Sequence, residues 1–232
     1  MYKGKKILCV IPCRGGSKGL PGKNIKNLLG KPLIAYTIRH AALSKYIDRT
    51  IVSTDSKKIA AVAKKWGAEV PFLRPKRLAQ DNSTTIDALL HAMDWMERKE
   101  KFFFDILVLL HVTTPLRKPE DIDKSIELLF REEAENVFSV TEAHKNPYFN
   151  MVKLTGSGNA KLVKKGSYAS RQAAPLVFDM NCSVYVWKKH VLKNKKSLFN
   201  AKTRIYRMPK ERSVDIDDLL DFKIAGFLLK NG

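Results

Sequence analysis

The stretch Ile7-Leu-Cys-Val-Ile-Pro-Cys-Arg-Gly-Gly-Ser-Lys-Gly-Leu-Pro-Gly-Lys-Asn24 sets the interpretation of the whole chain. Residues 7–12 are a short apolar run with β-branched members, which is typical of a central strand buried on both faces. Residues 13–24 contain four glycines and predict a loop. Pro32 then opens a segment with apolar residues three and four positions apart, which predicts a helix. The predicted order is strand, glycine-rich loop, helix.

The same alternation of strands and helices continues toward the carboxyl terminus. Further strands are predicted at 49–53, 69–72, 105–110, 136–140, 183–187 and 204–208. Further helices are predicted at 57–66, 85–97, 119–130 and 219–229. Strands that alternate with helices pair in parallel, because the helix carries the chain back across the sheet. The fold class predicted is therefore α/β, with a doubly wound, mostly parallel sheet covered by helices on both faces.

Residues 141–180 depart from this alternation. Short strand-like pieces at 151–154 and 160–163 flank a turn at 155–159, which indicates a hairpin or arm outside the main sheet. No internal repeat and no Ser/Pro-rich linker divides the sequence. We therefore expect one domain over residues 1–232, with a small arm inserted at 141–180.

The composition narrows the class of protein. The chain has 232 residues, 43 Lys plus Arg against 23 Asp plus Glu, and a net charge of +20. Its 44% hydrophobic content excludes a disordered chain, and its 12 glycines and 10 prolines exclude a collagenous one. The positive excess indicates either an anionic partner or a soluble basic surface. Much of it lies in scattered lysine pairs and no nucleic-acid-binding motif is present, so a noncatalytic polyanion- or nucleic-acid-binding protein stays only a remote alternative.

The cysteines and the amino terminus indicate where the protein works. Three cysteines without zinc-ligand spacing indicate reduced thiols. The apolar run near the amino terminus, residues 7–12, is too short for a signal peptide or a membrane span. We therefore expect a cytoplasmic protein without a membrane partner.

The glycine-rich loop carries three positive charges, those of Arg14, Lys18 and Lys23. They follow a central strand, and open α/β sheets bind ligands at the carboxyl ends of their strands. The loop is therefore predicted to bind a polyphosphate. It is not a Walker A loop, because Asn24 follows Gly22-Lys23 and Ser17 replaces the first glycine. The alternative is a flexible basic surface loop.

A pair of carboxylates, Asp215 and Asp217, lies just before the last predicted helix. Side chains two positions apart in an extended segment point the same way, and carboxylate oxygens that leave room for water and phosphate suit Mg²⁺. The pair therefore predicts a Mg²⁺ site, with Mn²⁺ as a possible substitute. The alternative is that Asp217 caps the final helix, and both roles are compatible.

Further motifs follow the loop in order along nearly the whole chain. They are Ile51-Val-Ser-Thr-Asp55, Leu73-Arg-Pro75, Thr113-Thr-Pro-Leu-Arg117, Asn146-Pro-Tyr-Phe-Asn150, Ser170-Arg-Gln172, Asp179-Met-Asn181 and Ser213-Val-Asp-Ile-Asp217. Together with residues 11–24 they resemble the acylneuraminate cytidylyltransferases, also called CMP-sialic acid synthetases, which couple CTP to nine-carbon 2-keto acid sugars. Residues 146–150 and 171–181 resemble most the bacterial branch that acts on legionaminic acid. The resemblance implies a Rossmann-like nucleotidyltransferase fold and a homodimer, or a dimer of dimers, formed through the arm.

The resemblance also implies roles for individual residues. The CTP phosphates would be held by the loop, with Lys23 and Arg14 as catalytic residues that stabilise charge at the α-phosphate. The residues implied in nucleotide binding are Arg14, Gly15, Gly16, Ser17, Lys18, Lys23, Asn24, Arg74, Thr84 and Thr85. Asp215 and Asp217 would complete the catalytic set through the metal. Arg171, Gln172 and Asn181 would face the sugar acid.

His111 departs from the family pattern, because many sialic acid enzymes have glutamine at this position. It could contact cytosine or the sugar, or it could be a buried histidine whose hydrogen bonds are satisfied. The departure leaves the identity of the sugar open. A legionaminic or N-acetylneuraminic acid is expected, and a Kdo-type or pseudaminic acid is the alternative. In each case the anomeric hydroxyl attacks the α-phosphorus of CTP, so positioning and charge neutralisation carry the catalysis.

Overall fold

The computed structural model describes residues 1–16 and 19–232. The strands in these ranges are β1 (Ile7–Pro12), β2 (Asn27–Leu28), β3 (Lys31–Pro32), β4 (Arg49–Ser53), β5 (Ile106–Leu110), β6 (Asn136–Glu142), β7 (Val152–Leu154), β8 (Ala160–Leu162), β9 (Phe178–Lys188) and β10 (Thr203–Arg207). The helices are α1 (Leu33–Leu43), α2 (Lys57–Lys65), α3 (Thr85–Arg98), α4 (Pro119–Arg131), α5 (Lys189–Lys195) and α6 (Leu219–Asn231). Three short 3₁₀ helices lie at Lys23–Ile25, Lys76–Leu78 and Lys210–Arg212.

Six of the strands form the central sheet, in the order β10-β6-β9-β5-β1-β4. Strand β1 pairs in parallel with β4 and β5, and β10 pairs in parallel with β6. Strand β9 runs antiparallel to both of its neighbours, β5 and β6. The predicted mostly parallel sheet is confirmed, and its parallel half places the carboxyl ends of β1, β4 and β5 at one edge.

Helices cover both faces of this sheet, as predicted. Alternate residues of β1 face opposite sides, because successive side chains of a strand point in opposite directions. Ile7, Cys9 and Ile11 pack in a core that includes residues of α1, α2, α4 and α6. Leu8 and Val10 pack in a second core with residues of α3 and α5. All five side chains are fully buried, which explains the continuous apolar run in the sequence.

The strand predicted at 69–72 is wrong. Glu69 and Leu73 form only isolated bridges, with Ile51 and Thr54 of the β4 edge. The Glu69 amide donates to Thr50 and its carbonyl accepts from Val52, so pairing begins as a strand would. It does not continue, because Pro71 has no amide proton to donate.

The segment 141–180 contains β7 and β8, which pair with each other in a separate two-stranded sheet. Val152 and Leu154 of this hairpin are exposed. Strand β9 begins at Phe178, five residues earlier than the predicted strand at 183–187, and so overlaps the end of the segment. The division into one domain and a dimerisation arm stays a prediction.

Helix α5 was not predicted from the sequence. It has only two buried residues, Val191 and Leu192, among lysines and a histidine, so its apolar period is too short to be recognised. Within the described ranges, no helix has the length and apolar character needed to cross a bilayer.

Candidate active site

A cavity of about 580 Å³ opens at the edge of the sheet where β1 and β5 end. Its walls come from the loop after β1, from residues 78–85, from the turn after β5 and from the segment before α6. These segments meet because β1 and β5 are parallel neighbours, so that their carboxyl ends lie side by side. Residues from distant parts of the sequence, including Arg14, Lys23, Arg74 and Asp217, line the same space.

Lys23 is a buried cation of this cavity. It begins the 3₁₀ helix Lys23–Ile25 and its side chain is only 9% exposed. The ammonium group donates a hydrogen bond to the carbonyl oxygen of Ile216 and lies 3.5 Å from the Asp217 carboxylate. A buried ammonium with two oxygen partners has a fixed position, so Lys23 presents its charge to a ligand from one place.

Arg14 and Gly15 are held by acidic side chains from other segments. Arg14 Nη1 lies 2.8 Å from Asp81 Oδ1, and both side chains are partly exposed. The Gly15 amide donates to Asp55 at 2.8 Å. An exposed ion pair is worth at most about 1 kcal/mol, so a phosphate group can displace Asp81 from Arg14.

Arg74 supplies a second cation with little exposure to water. The residue is 7% exposed, and its amide donates to the Thr54 carbonyl at 2.7 Å. Its Nε has no hydrogen-bond partner among residues 1–16 and 19–232. Burial lowers the pKa of Arg74, whereas the charge of Asp55 acts in the opposite direction. An unpaired, buried guanidinium donor in a cavity is suited to an anionic ligand.

Asn24, Thr84 and Thr85 line the cavity, but two of their side chains already serve the fold. Asn24 is buried and donates to the Arg14 carbonyl at 3.0 Å, which holds the loop closed. Thr84 caps α3, since its hydroxyl accepts from the Asp87 amide at 3.1 Å. The nucleotide contacts of Asn24, Thr84 and Thr85 stay predictions. Thr84 and Thr85 form the amino terminus of α3 beside the cavity, and a helix amino terminus favours anions.

The glycines of the loop differ in what they do. An added Cβ at Gly19 would collide with the Asp217 carbonyl oxygen, so this position needs glycine for a close approach. Gly22 has a positive φ of 67°, which glycine adopts without strain. Gly16 is open to solvent. The predicted nucleotide contacts of Ser17 and Lys18 lie outside the described residues.

The carboxylates of Asp215 and Asp217 differ in environment. Burial raises the pKa of Asp215, and hydrogen bonds from the Thr113 and Cys182 side chains act in the opposite direction. Its Oδ1 is buried without a partner in the described part of the chain. The Asp217 side chain is 84% exposed and lines the cavity. Asp215 is not among the residues that line the cavity, and only Asp217 of the pair does so. A carboxylate oxygen without a partner, two residues from an exposed carboxylate, is chemically compatible with a hard divalent cation that is completed by phosphate and water oxygens.

The alternative role proposed for Asp217, capping the last helix, is wrong. Asp218 is the N-cap of α6, and its carboxylate accepts from the Leu220 and Asp221 amides at 2.7 and 3.0 Å. The Asp217 amide instead donates to Asp221 at 2.9 Å. The Asp217 side chain therefore lines the cavity and does not cap the helix.

His111 follows β5 directly and lines the cavity. Burial lowers the pKa of His111 to about 4, and the positive charge of Arg117 acts in the same direction. The ring packs edge-on against Tyr185, with 5.7 Å between ring centroids. Its imidazole is therefore neutral at physiological pH, and it can donate or accept a hydrogen bond.

The structure does not bring the other predicted sugar residues into this cavity. Arg171 and Gln172 line a separate cavity of about 300 Å³ between the segment 142–146 and residues 171–177. Arg171 donates to the Ala143 carbonyl at 2.5 Å and lies 3.5 Å from the Glu142 carboxylate. Asn181 is buried, and its side chain joins Ser139 and Ser213 by hydrogen bonds of 2.7 and 2.9 Å. Within one chain, His111 alone of the predicted sugar residues lines the same space as Lys23.

The cytidylyltransferase family profile matches residues 8–224 of the chain, from β1 into α6. The chain belongs to the cytidylyltransferase family. The cavity described above lies within the matched range. Both the glycine-rich loop and the Asp215–Asp217 segment are therefore parts of the family domain.

Curated relatives of this cytidylyltransferase family member match over nearly the full length. A CMP-N,N'-diacetyllegionaminic acid synthase from Campylobacter jejuni is 39% identical over 97% of this chain and 95% of its own. A synthase of the same name from Legionella pneumophila is 36% identical over 97% of both chains. A pseudaminic acid cytidylyltransferase from Campylobacter jejuni is 30% identical over 97% of both.

Two solved structures share the fold. A CMP:2-keto-3-deoxy-manno-octonic acid synthetase complexed with CTP superimposes with a TM-score of 0.73, at 18% identity, over 97% of this chain and 99% of its own. A 4-diphosphocytidyl-2C-methyl-D-erythritol synthase from Anaerococcus prevotii superimposes with a TM-score of 0.69, at 14% identity, over 98% and 100%. The predicted nucleotidyltransferase fold is confirmed.

Sequence reasoning missed two residues that shape this cytidylyltransferase site. Asp55 accepts from the Gly15 amide of the loop, and Thr113 contacts the Asp215 segment. Asp55 and Thr113 lie within motifs of the family resemblance, at the ends of β4 and β5. Their position after strands was the available signal, because residues there face the ligand edge of an α/β sheet.

Proposed function

We propose that the protein transfers the cytidylyl group of CTP to an acidic nine-carbon 2-keto sugar, of the legionaminic or N-acetylneuraminic type, and releases pyrophosphate. The main supporting observation is that Lys23 contacts both the Ile216 carbonyl and the Asp217 carboxylate, in a cavity that Arg14 and Arg74 also line. Relatives named as CMP-N,N'-diacetyllegionaminic acid synthases, at 36% and 39% identity, support the sugar class.

In this reaction the anomeric oxygen of the sugar forms a bond to the α-phosphorus of CTP. The bond from the α-phosphorus to the bridging oxygen breaks, and that oxygen leaves on pyrophosphate. The hydroxyl proton passes to solvent. Both substrates are anions, so the protein must neutralise negative charge while it aligns the two reacting atoms.

The residues of the cavity suit these tasks. Lys23 has a fixed ammonium group, and fixed donors stabilise a developing charge without reorganisation. Arg74 offers an unpaired Nε, and Arg14 becomes available when a phosphate displaces Asp81. The α3 amino terminus, at Thr84 and Thr85, adds the positive end of a helix dipole.

Mg²⁺, with Mn²⁺ as a possible substitute, is the metal that we propose for the carboxylates of Asp215 and Asp217. The orphaned Asp215 oxygen and the exposed Asp217 carboxylate would hold it. When bound, it would supply positive charge to the phosphate oxygens as a Lewis acid. Two carboxylates leave most of the coordination sphere of Mg²⁺ to phosphate and water oxygens.

The location and assembly of the protein are proposed on the same basis. We expect a cytoplasmic homodimer, or a dimer of dimers, in which the exposed hairpin β7–β8 contacts a second subunit. The exposed Val152 and Leu154 on that hairpin support an apolar contact there. Arg171 and Gln172, which lie within the segment 141–180 and outside the nucleotide cavity, would reach a sugar only if this segment moved or served a partner's site.

The test is pyrophosphate release by the purified protein with CTP, Mg²⁺ and a panel of acids. The panel contains N,N'-diacetyllegionaminic, N-acetylneuraminic, pseudaminic and Kdo acids, and parallel reactions replace CTP by ATP, GTP or UTP. Release with CTP and a nine-carbon acid is expected. A preference for Kdo or pseudaminic acid would correct the sugar class, and no release with any acid would overturn the proposed function. Salt-sensitive DNA or RNA binding indifferent to CTP would favour the polyanion-binding alternative.

A further inference from the structure

Arg117 is a buried cation with no assigned role in the transfer. Its residue is 1% exposed, and it does not line the nucleotide cavity. The Nε donates to the Ser183 hydroxyl at 3.0 Å, while Nη2 donates to the His111 carbonyl and the Thr114 hydroxyl. No carboxylate of residues 1–16 and 19–232 pairs with it at ion-pair distance.

This arrangement is unfavourable as a way to stabilise a fold. A buried charge is costly unless it is paired, and neutral oxygens compensate it only in part. Burial lowers the pKa of Arg117 to about 10, the charges of Asp121 and Asp215 act in the opposite direction without reaching ion-pair distance, and the group stays charged at neutral pH. An apolar side chain of similar volume would fill the same space without that cost. The guanidinium therefore needs an explanation other than packing.

The contacts of Arg117 lead to Lys23 through one turn of the chain. Arg117 holds the two ends of the turn 111–114. The Thr113 carbonyl accepts from the Ile216 amide at 2.9 Å, and the Thr113 side chain contacts Asp215. The Ile216 carbonyl in turn accepts from Lys23. The turn thus connects Arg117 to the segment that positions the proposed catalytic lysine and metal ligand.

We propose that Arg117 is a positioning residue: its guanidinium fixes the turn 111–114, and the turn holds the segment 215–217 against Lys23. The reaction that it serves is the proposed cytidylyl transfer. Arg117 acts through other residues, since it does not line the cavity itself, whereas His111 and Thr113 of the turn that it holds do. Ser183 lies on β9, outside the turn 111–114, and anchors the guanidinium through Nε.

Two hydroxyl deletions separate positioning from simple stabilisation. Thr114→Val removes one of the two groups by which Arg117 holds the turn and leaves the His111 carbonyl, and Ser183→Ala removes the hydroxyl that anchors Arg117 on β9. Both residues are fully buried and each loses a hydrogen bond to the same guanidinium. The Thr114 hydroxyl also donates to the Cys182 carbonyl at 3.4 Å, so the melting temperature of each variant is measured beside its kcat to account for lost stability.

The kinetic expectation follows from the geometry. Thr114→Val should lower kcat by about 10- to 100-fold and change KM for CTP by less than about 3-fold, because misplacement of reacting groups acts on the transition state. Ser183→Ala should lower kcat by less than about 3-fold. A parallel fall of kcat in both variants, in step with their melting temperatures, would overturn the proposal.

Substitutions of Arg117 supply a second measurement. Arg117→Met should lower kcat at least as much as Thr114→Val, and Arg117→Lys should recover part of the loss because a lysine retains the charge and one donor. Equal activity of the Met and Lys variants would contradict a role for the hydrogen-bonding group. If Arg117→Met does not fold, the comparison of Thr114→Val with Ser183→Ala still tests the proposal.

Crystal structures of the Thr114→Val and Ser183→Ala variants keep this test independent of turnover. The proposal expects the Ile216 carbonyl to leave hydrogen-bond distance of Lys23 Nζ in Thr114→Val and to stay in place in Ser183→Ala. An unchanged Ile216–Lys23 contact in Thr114→Val would overturn the proposal even if the wild-type protein released no pyrophosphate with any acid. The absence of pyrophosphate release would overturn the proposed function, whereas the crystal structures test the role of Arg117, so the two failures are distinguishable.

Discussion

The Lys23 ammonium nitrogen lies 3.5 Å from the Asp217 carboxylate, although 194 positions separate the two residues in the sequence. Gly19 makes this possible, because only a residue without Cβ allows the loop to approach the Asp217 carbonyl so closely. The loop after the first strand and the segment before the last helix thereby form one site. A cation and a carboxylate therefore lie on the same side of the cavity, as the proposed binding of CTP with Mg²⁺ requires.

Replacement of Lys23 by alanine should lower kcat by about 100- to 1000-fold, which is the usual effect of removing one charge-stabilising donor. The measurement is steady-state pyrophosphate release at saturating CTP. Lys26→Ala is the matched control, since Lys26 is an exposed lysine three residues away. Near wild-type turnover of Lys23→Ala would show that the lysine does not act on the reaction.

Replacement of Arg74 by methionine should raise the dissociation constant for CTP by about 10- to 100-fold, because a charged hydrogen bond to the nucleotide is lost. Calorimetric titration with CTP checks this without the sugar. Arg77→Met serves as the control, because Arg77 is exposed and does not line the cavity. Equal weakening in the two variants would indicate a general effect of positive charge.

The two adjacent aspartates before α6 should have separable effects. Asp217→Ala should raise the Mg²⁺ concentration needed for half-maximal activity and leave the melting temperature nearly unchanged, because the side chain is 84% exposed. Asp218→Ala should lower stability by about 1 kcal/mol through loss of the helix cap. It should not change the Mg²⁺ dependence. The reverse pattern in Mg²⁺ titrations and thermal melts would exchange the two roles.

The stability of the protein should fall as the pH drops from about 6.5 toward about 4. Burial lowers the pKa of His111 to about 4 and that of His40 to about 3, whereas the ordinary value is 6.5. In this window the unfolded chain binds protons that the folded one does not, so folding stability rises with pH.

Urea denaturation of the wild type and His111→Gln at pH 7.5 and 5 measures how much of this pH dependence of folding stability comes from His111. The difference between the two pH values should be smaller in the variant, because glutamine does not titrate. His190→Gln, which changes an exposed histidine, should keep the wild-type difference. An equal pH dependence in all three proteins would show that His111 titrates normally in the folded state.

The sheet and the glycine-rich loop were predictable because they depend on local patterns. A short apolar run with β-branched residues, such as residues 7–12, is typical of a buried strand, and the glycines after it mark the ligand edge. The strand predicted at 69–72 was wrong because Pro71 has no amide proton, so the pairing that Glu69 begins with Ile51 does not continue. Helix α5 was missed because it buries only two residues.

The site was less predictable than the fold, because its contacts join distant segments. The sequence indicated Lys23 and Asp217 separately, yet their proximity depends on the order of the strands. The capping of α6 by Asp218 instead of Asp217 depends on a single backbone conformation. The placement of Arg171 in a second cavity could not be foreseen, since the segment 141–180 has no periodicity that fixes its position.

The central claim is tested most directly by following the α-phosphorus of CTP. The protein is incubated with Mg²⁺, N,N'-diacetyllegionaminic acid and CTP labelled with ³²P at the α-phosphate, and the products are separated by ion-exchange chromatography. The account predicts that the label appears in a CMP-sugar, together with an equal amount of unlabelled pyrophosphate. Label that stays in CTP, or that appears only as free CMP, with this acid and with the other nine-carbon acids, would contradict the account.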